Sequence, residues 1–284
     1  MIDYDVDQTG IAVITWNMTE AGTNILSQQS MAAFTEAVDR AVADEKVTGM
    51  VITSARKDFL AGADISMFLG VSDAAKMAEL AGAAQGMIRH LETCGKPVVA
   101  AINGTALGGG LELCLGCHYR IAADNPKTRI GLVEVTIGVI PGAGGTQRLT
   151  RLIGIKQAVP LMAEGKRIKV QQALKLGIVD EIVPPEKLLK AAKQWILDGG
   201  QAGNPWDQKG FIPPGGDLTD PGNQDFMAVA NAMLREQSQG NYPAPLAVLA
   251  AVHDSINSPI DRGLEIEAKY FGRTATGKVA QNMI

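Results

Sequence analysis

Residues 97–117 read PVVAAINGTALGGGLELCLGC, which predicts a buried strand, a glycine-rich turn and a helix with a single acid, Glu112. The first N–H groups of a helix have no partners inside it and lie at the positive end of its dipole. Glycine allows a ligand to approach these groups closely. The pattern therefore predicts a site where backbone amides hold an anion beside a carboxylate.

Two glutamates stand in apolar surroundings. Glu112 follows Gly109 by three positions, so both lie on one face of the predicted helix. Glu134 lies in LVEV, before a second glycine-rich turn at 141–145. Burial is expected to raise both pKa values towards the range that suits proton transfer. The residues alone leave two interpretations open, a catalytic pair and two solvated surface acids.

The composition excludes several classes of protein. The 284 residues include 26 Lys and Arg against 30 Asp and Glu, and a net charge of -4 argues against a nucleic-acid binder. No apolar run reaches the roughly 18 residues that span a bilayer. The acidic start has no signal or transit peptide pattern, and an odd number of cysteines fits a reducing compartment. We therefore expect a cytoplasmic protein without a membrane span.

The order of elements predicts an α/β fold. Apolar strands alternate with helical segments, which indicates largely parallel pairing. Pro and Gly clusters then indicate a loop or linker, and the segments after it have helical patterns. The predicted domains are a main domain at 1–198, a Pro/Gly-rich linker at 199–222 and an all-helical appendage at 223–284.

Two motifs are interpreted as structural. The pair Cys114 and Cys117 resembles a redox or metal motif, but it follows an established helix and no second cluster completes a zinc site, so we expect no metal. GRTATGK at 272–278 nearly matches a phosphate loop, but Val279 stands where Ser or Thr is required. We interpret it as a helix end. Three basic residues are interpreted as an exposed helix face: Arg148, Arg151 and Lys156.

Four segments together resemble the crotonase (enoyl-CoA hydratase) superfamily: AGADI at 61–65, NGTALGGGLEL at 103–113, Glu134, and GVIPGAGGTQRL at 138–149. The resemblance covers roughly residues 10–200 and implies a spiral of repeated ββα units. The helical tail resembles the segment that joins the hydratase to the dehydrogenase in the multifunctional fatty-acid oxidation α subunit. It implies that residues 223–284 lead towards a dehydrogenase domain.

The resemblance also implies the residues of an active site. The backbone N–H groups of Ala63 and Gly109 are expected to form an oxyanion hole, and Glu112 and Glu134 are the expected catalytic carboxylates. One acid deprotonates the water that attacks C3 of an enoyl thioester, and the other protonates C2. We assign the base to Glu112 and the acid to Glu134, although the residues leave the reverse assignment open.

Contacts to the coenzyme A part of the substrate are implied at Lys57, Ala61, Asp64 and Ile65. Coenzyme A belongs to the substrate, so no separate cofactor is expected, and NAD is expected only if a dehydrogenase domain follows. The same resemblance implies a bacterial cytoplasmic enzyme that is an oligomer or part of a larger fatty-acid oxidation complex.

The expected reaction is hydration of trans-2-enoyl-CoA to 3-hydroxyacyl-CoA in fatty-acid β-oxidation, with Δ3-Δ2-enoyl-CoA isomerisation at the same site. In this family the presence of both acids, Glu112 and Glu134, favours hydration over isomerisation. The alternative is a non-catalytic acyl-CoA-binding or assembly module, which would bind the thioester without turnover.

Overall fold

The computed structural model describes residues 1–20 and 22–284. The chain forms two compact units, each assembled from segments that are distant in sequence. Unit 1 contains residues 1–64, 87–130 and 168–204, and unit 2 contains residues 65–86, 131–167 and 205–284. The boundaries at 198 and 222 that we expect from the sequence stay a prediction.

The strands and helices alternate through most of the chain before a run of helices ends it. The strands are β1 (Ile2–Val6), β2 (Ile11–Trp16), β3 (Gly49–Ser54), β4 (Val98–Ile102), β5 (Ala106–Leu107), β6 (Tyr119–Ala123), β7 (Ile130–Gly131) and β8 (Glu181–Val183). The α-helices are α1 (Gln28–Ala43), α2 (Ala74–Glu92), α3 (Gly109–Gly116), α4 (Gly145–Ile153), α5 (Ile155–Ala163), α6 (Val170–Leu176), α7 (Leu188–Leu197), α8 (Pro221–Ser238), α9 (Ala244–Ser255), α10 (Ile260–Ala275) and α11 (Lys278–Met283). Short 3₁₀ turns lie at Ile65–Phe68, Glu134–Ile137, Pro185–Lys187 and Pro205–Asp207.

Unit 1 is built on a six-stranded sheet in the order β1-β2-β3-β4-β6-β8. β1 pairs antiparallel with β2, and every later pair in this sheet is parallel. The central strands are apolar on both faces, as expected of parallel strands that are covered on both sides. On one face, Leu188, Ala192 and Ile196 of α7 pack against the sheet. On the other, the Trp16 and Phe34 rings stack with centroids 5.4 Å apart.

A second, much shorter layer of strand pairs lies in the connections that leave this sheet. Leu26 pairs with Ala63 and Leu60 pairs with Ala106, both in parallel, and β5 pairs with β7. The order β4, β5, α3 is therefore one ββα unit of the expected kind. This layer places residues 60–63 beside the start of α3.

Unit 2 is mainly helical. Trp206, Ile260 and Leu264 form a buried cluster in it, and the Phe68 and Phe271 rings meet edge to face at 5.4 Å. The all-helical tail expected from the sequence is confirmed, and it contains α8, α9, α10 and α11. α8 begins at Pro221, where the Asp220 side chain accepts from Asn223 N and caps the helix.

Candidate active site

The amides of Ala63 and Gly109 lie close together in unit 1. An ideal Cβ built on Gly109 lies 3.6 Å from Ala63 N, and one built on Gly62 lies 3.9 Å from Gly109 N. Within residues 1–20 and 22–284, neither amide donates to a protein acceptor. Two neighbouring donors of this kind suit a single oxyanion.

The backbone geometry explains why both amides are available. Leu26 hydrogen-bonds to Gly62 O and Asp64 N, the residues on either side of Ala63, so the parallel pairing leaves the Ala63 N–H unused. Gly109 is the first residue of α3, where N–H groups have no partner within the helix. Gly108 enters the helix at φ 52° and ψ -128°, a conformation that a residue with a side chain rarely adopts.

Asn24 anchors the segment that carries Ala63. Its side chain is fully buried and donates to Phe59 O (3.1 Å), Trp16 O (3.2 Å) and the Ser54 hydroxyl (2.9 Å). Its side-chain oxygen accepts from Met18 N at 3.0 Å, and its backbone carbonyl accepts from Ala61 N at 3.0 Å. Sequence reasoning missed this residue, because an isolated Asn in a loop gives no signal of burial.

Replacing Asn24 with alanine is expected to lower the free energy of unfolding by about 2 kcal/mol, because buried backbone groups lose their partners. Urea denaturation measures this loss. The control is Asn17→Ala, which removes only an exposed bond to Asp3 and is expected to change stability by no more than about 0.5 kcal/mol. Equal effects of the two substitutions would contradict the anchoring role of Asn24.

Glu112 lies in the first turn of α3, and its side chain is buried, with 2% of the residue exposed. The sequence-based expectation of burial is therefore confirmed for this acid. α3 begins at Gly109, and Glu112 follows three residues later. The Glu112 side chain and the Gly109 N–H therefore lie on the same face of the helix, about one turn apart. This places an acid and an oxyanion donor on one rigid element.

The four expected coenzyme A contacts fall on different parts of one loop. Lys57 and Ala61 are exposed, and Asp64 is half-buried with its N–H donated to Leu26 O at 2.8 Å. These three residues belong to unit 1. Ile65 is 43% exposed and opens a 3₁₀ turn of unit 2. Their role in binding coenzyme A stays a prediction.

Glu134 begins a 3₁₀ turn in unit 2. The residue as a whole is half-buried, but both carboxylate oxygens are buried and have no hydrogen-bond partner in the described part of the chain. Burial, with a further contribution from the charge of Glu267, raises the pKa of Glu134 to about 8. This acid therefore keeps its proton at neutral pH.

Glu267 is a third buried acid, and we did not identify it from the sequence. It is fully buried on α10. Its carboxylate accepts from Gly144 N (2.6 Å), Thr146 N (2.9 Å), the Thr146 hydroxyl (2.5 Å) and Gln85 Nε2 (3.0 Å). Burial raises the pKa of Glu267, and the donors from Thr146, Gln85 and Gly144 oppose that shift.

The interpretation of Arg148 and Arg151 as an exposed face is wrong. The two residues are 0% and 3% exposed. Arg148 Nη1 donates to Ala143 O at 3.1 Å. Arg151 Nη2 donates to the carbonyls of Ser255 (3.2 Å) and Ser258 (2.8 Å), near the C-terminal end of α9. A cation is favourable there, because helix C-termini are electronegative.

The two structural motifs behave as expected. Cys114 and Cys117 are buried free thiols that pack in the core, and burial raises the pKa of Cys114 well above its usual value. α10 includes the first four residues of this motif, GRTA, and ends at Ala275, so the phosphate-loop resemblance is a helix end. Among residues 1–20 and 22–284, no three His, Cys, Asp or Glu side chains are grouped to hold a metal ion.

Comparison with known proteins gives the family. The family described as enoyl-CoA hydratase/isomerase matches residues 7–198. The chain belongs to this family. A curated relative, the fatty acid oxidation complex subunit alpha of Shewanella baltica (strain OS185), is 38% identical over 273 residues, which is 96% of this chain and 38% of the relative. The same subunit of Shewanella amazonensis is 39% identical over 264 residues, covering 93% and 37%.

A solved structure supports the assignment. The enoyl-CoA hydratase from Bacillus anthracis is 28% identical, with a TM-score of 0.64 over 98% of this chain and 92% of that chain. The crotonase fold and the resemblance to the α subunit are thereby confirmed. The chain spans only about 38% of the length of the curated relatives named above. Within residues 1–20 and 22–284, no helix has the length and apolar character needed to cross a membrane.

Proposed function

We propose that this member of the enoyl-CoA hydratase/isomerase family hydrates trans-2-enoyl-CoA to 3-hydroxyacyl-CoA in fatty-acid β-oxidation. The observation that carries the proposal is the carboxyl group of Glu134, whose two oxygens are buried and have no hydrogen-bond partner among the described residues. This burial raises the pKa of Glu134 to about 8, which favours the protonated form at neutral pH. Hydration of an enoyl thioester needs such an acid, because C2 must be protonated as water adds to C3.

The proposed mechanism assigns one step to each group. Glu112 takes a proton from water while the water oxygen bonds to C3, and the electron pair of the double bond moves towards the thioester oxygen. The N–H groups of Ala63 and Gly109 hold this developing enolate, and each donor is worth about 3 kcal/mol by analogy with other oxyanion holes. Glu134 then gives its proton to C2. Exchange with solvent removes the proton from Glu112 and returns one to Glu134, so that the net change is the addition of one water molecule.

Isomerisation of a 3-enoyl-CoA is proposed as a second reaction of the same groups. The carboxylate of Glu134 removes a proton from C2, and the resulting acid returns one to C4. The double bond moves from C3–C4 to C2–C3, through the same enolate. The family description, which names both activities, favours this addition. Participation in a larger fatty-acid oxidation complex is proposed from the names of the curated relatives.

The direct test is to incubate the purified chain with the coenzyme A thioester of trans-2-butenoic acid. Loss of the absorbance of the conjugated thioester, together with formation of the 3-hydroxyacyl product, is the expected result. Binding of the thioester without turnover would instead support the acyl-CoA-binding module and contradict catalysis. Incubation with the 3-enoyl isomer, followed by appearance of the conjugated absorbance, tests isomerisation separately.

A further inference from the structure

Glu267 lies outside the part of the chain that defines the family. The family match ends at residue 198, whereas Glu267 lies on α10 in the helical tail. The acid is nevertheless fully buried within unit 2 and faces partners from two other segments of that unit. These partners are Gln85 on α2 and the turn that enters α4. Burying a carboxylate costs free energy unless hydrogen bonds compensate for the lost water, and here several partners do so. This arrangement indicates that Glu267 has a specific role.

The first consequence concerns the turn at 143–146. α4 begins after Gly144, which has no side chain to cap the helix. The carboxylate of Glu267 takes that place, because it accepts from Gly144 N and from both donors of Thr146. A negative charge at a helix N-terminus is favourable. Glu267 in the helical tail therefore holds the glycine-rich turn that precedes α4 in place.

The network continues beyond this carboxylate. Gln147 Nε2 donates to the Thr146 hydroxyl at 2.8 Å, and Arg151 Nη1 donates to Gln147 Oε1 at 2.9 Å. All of these side chains are buried. The charge of Glu267 acts on Glu134, on its 3₁₀ turn, and Arg151 joins the network through Gln147. Arg148 and Arg151 on α4 are buried cations, and both donate to carbonyl groups. The other charged residues on α10 and on the unit 2 part of α2 are exposed: Lys76, Glu79, Asp261, Arg262, Glu265, Lys269 and Arg273.

The second consequence concerns where the negative charge and the proton reside. Four donors surround the carboxylate of Glu267, whereas neither oxygen of Glu134 has a hydrogen-bond partner in the described residues. Hydrogen bonds to a carboxylate favour its charged form, and a neighbouring negative charge disfavours ionisation of the second acid. The pair therefore holds its proton on Glu134.

We propose that Glu267 is a positioning residue of the active site, which fixes the 143–146 turn and keeps the proton on Glu134. This inference rests on the proposed function of Glu134 as the acid in hydration. It assigns a catalytic consequence to the helical tail, which the family match does not cover. Glu267 itself exchanges no proton with the substrate.

The test compares Glu267→Gln with Glu265→Gln, a change of an exposed acid two positions earlier on α10. ¹³C NMR of labelled glutamate side chains follows the titration of Glu134, with the signal assigned by its absence in Glu134→Gln. In the Glu267→Gln variant the titration of Glu134 is expected to move down by about one pH unit or more, because the neighbouring charge is gone. The alkaline limb of kcat/KM for hydration is expected to move with it, while KM changes only a few-fold.

The control variant is expected to leave both the titration and the pH profile unchanged. A Glu267→Gln protein whose Glu134 titrates as in the wild type overturns the inference, even if its stability is reduced. If the wild type shows no hydration, the proposed function fails, but the NMR titration still tests the coupling of the two acids.

A variant that keeps the charge covers the case in which Glu267→Gln does not fold. Glu267→Asp withdraws the carboxylate by one methylene group from its donors. Its kcat is expected to fall at least tenfold, while Glu134 still titrates well above the ordinary value of a glutamate. An unchanged kcat contradicts the positioning role, as does a Glu134 that titrates at its ordinary value.

Discussion

Replacing Glu134 with glutamine is expected to reduce kcat for hydration by about 10²–10⁴-fold, the usual contribution of a general acid. Glutamine has nearly the shape of the protonated acid, so binding of the thioester is expected to change little. Stopped assays of the 3-hydroxyacyl product measure the loss, and calorimetric titration with a saturated acyl-CoA measures binding. In the wild type, kcat/KM is expected to fall above about pH 8, as Glu134 loses its proton.

The control for this substitution is Glu164→Gln in the same unit, an exposed acid that pairs with Lys166. It is expected to retain full activity. Near-normal hydration by the Glu134→Gln variant would remove this acid from the mechanism. A matching loss in the control would instead show that unit 2 is generally sensitive to the loss of a surface charge.

The same substitution has a consequence for stability that does not depend on activity. In the folded protein the pKa of Glu134 rises from 4.5 to about 8, so the folded state holds a proton that the unfolded chain releases between these pH values. The wild type is therefore expected to lose stability relative to Glu134→Gln as pH rises from about 4.5 to about 8. Urea denaturation at pH 5, 7 and 9 measures this difference, and parallel curves would contradict the burial of an unpaired carboxyl.

The sequence predicts those parts of the site that depend on local pattern. Gly108 and Gly109 before an apolar helix indicate an amide donor, and a single acid in that helix indicates a buried carboxylate at Glu112. The same reasoning places Glu134 in an apolar segment. In each case the signal lies within a few residues of the group concerned, because helix starts and glycine-rich turns are specified locally.

The parts that the sequence does not predict depend on partners that are far away along the chain. Glu267 meets Gly144 across 123 positions and Gln85 across 182. One signal was nevertheless present, since Glu267 shares a helix stripe with Ile260, Leu264 and Phe271, all of which are buried. An acid in the apolar stripe of a helix is therefore a candidate for a buried polar network.

Arg148 and Arg151 were misread for a related reason. In TQRLTRL the polar residues outnumber the apolar ones, and such a pattern is typical of an exposed face. The carbonyl groups that accept from Arg151 Nη2 belong to residues 255 and 258, more than 100 positions later. Only tertiary structure supplies such acceptors, so neither composition nor spacing can show that Arg151 is buried.

Replacing Glu112 with glutamine is expected to separate the two proposed reactions. Hydration needs Glu112 to take a proton from water, so its kcat is expected to fall by about 10²–10⁴-fold. Isomerisation as proposed moves one proton by way of Glu134 alone, so it is expected to stay within about tenfold of the wild type. The exposed acid Glu36, on α1 of the same unit, provides the control variant Glu36→Gln, which is expected to keep both rates.

The pH profiles of the two reactions should then run in opposite directions. Hydration uses the protonated form of Glu134, whereas isomerisation begins with its carboxylate, which removes the C2 proton. The residual isomerase activity of Glu112→Gln is therefore expected to rise with pH up to about 8, over the range in which wild-type hydration holds level and then begins to fall. Equal losses of both activities would contradict this division of roles, because they would give Glu112 a step that hydration and isomerisation share.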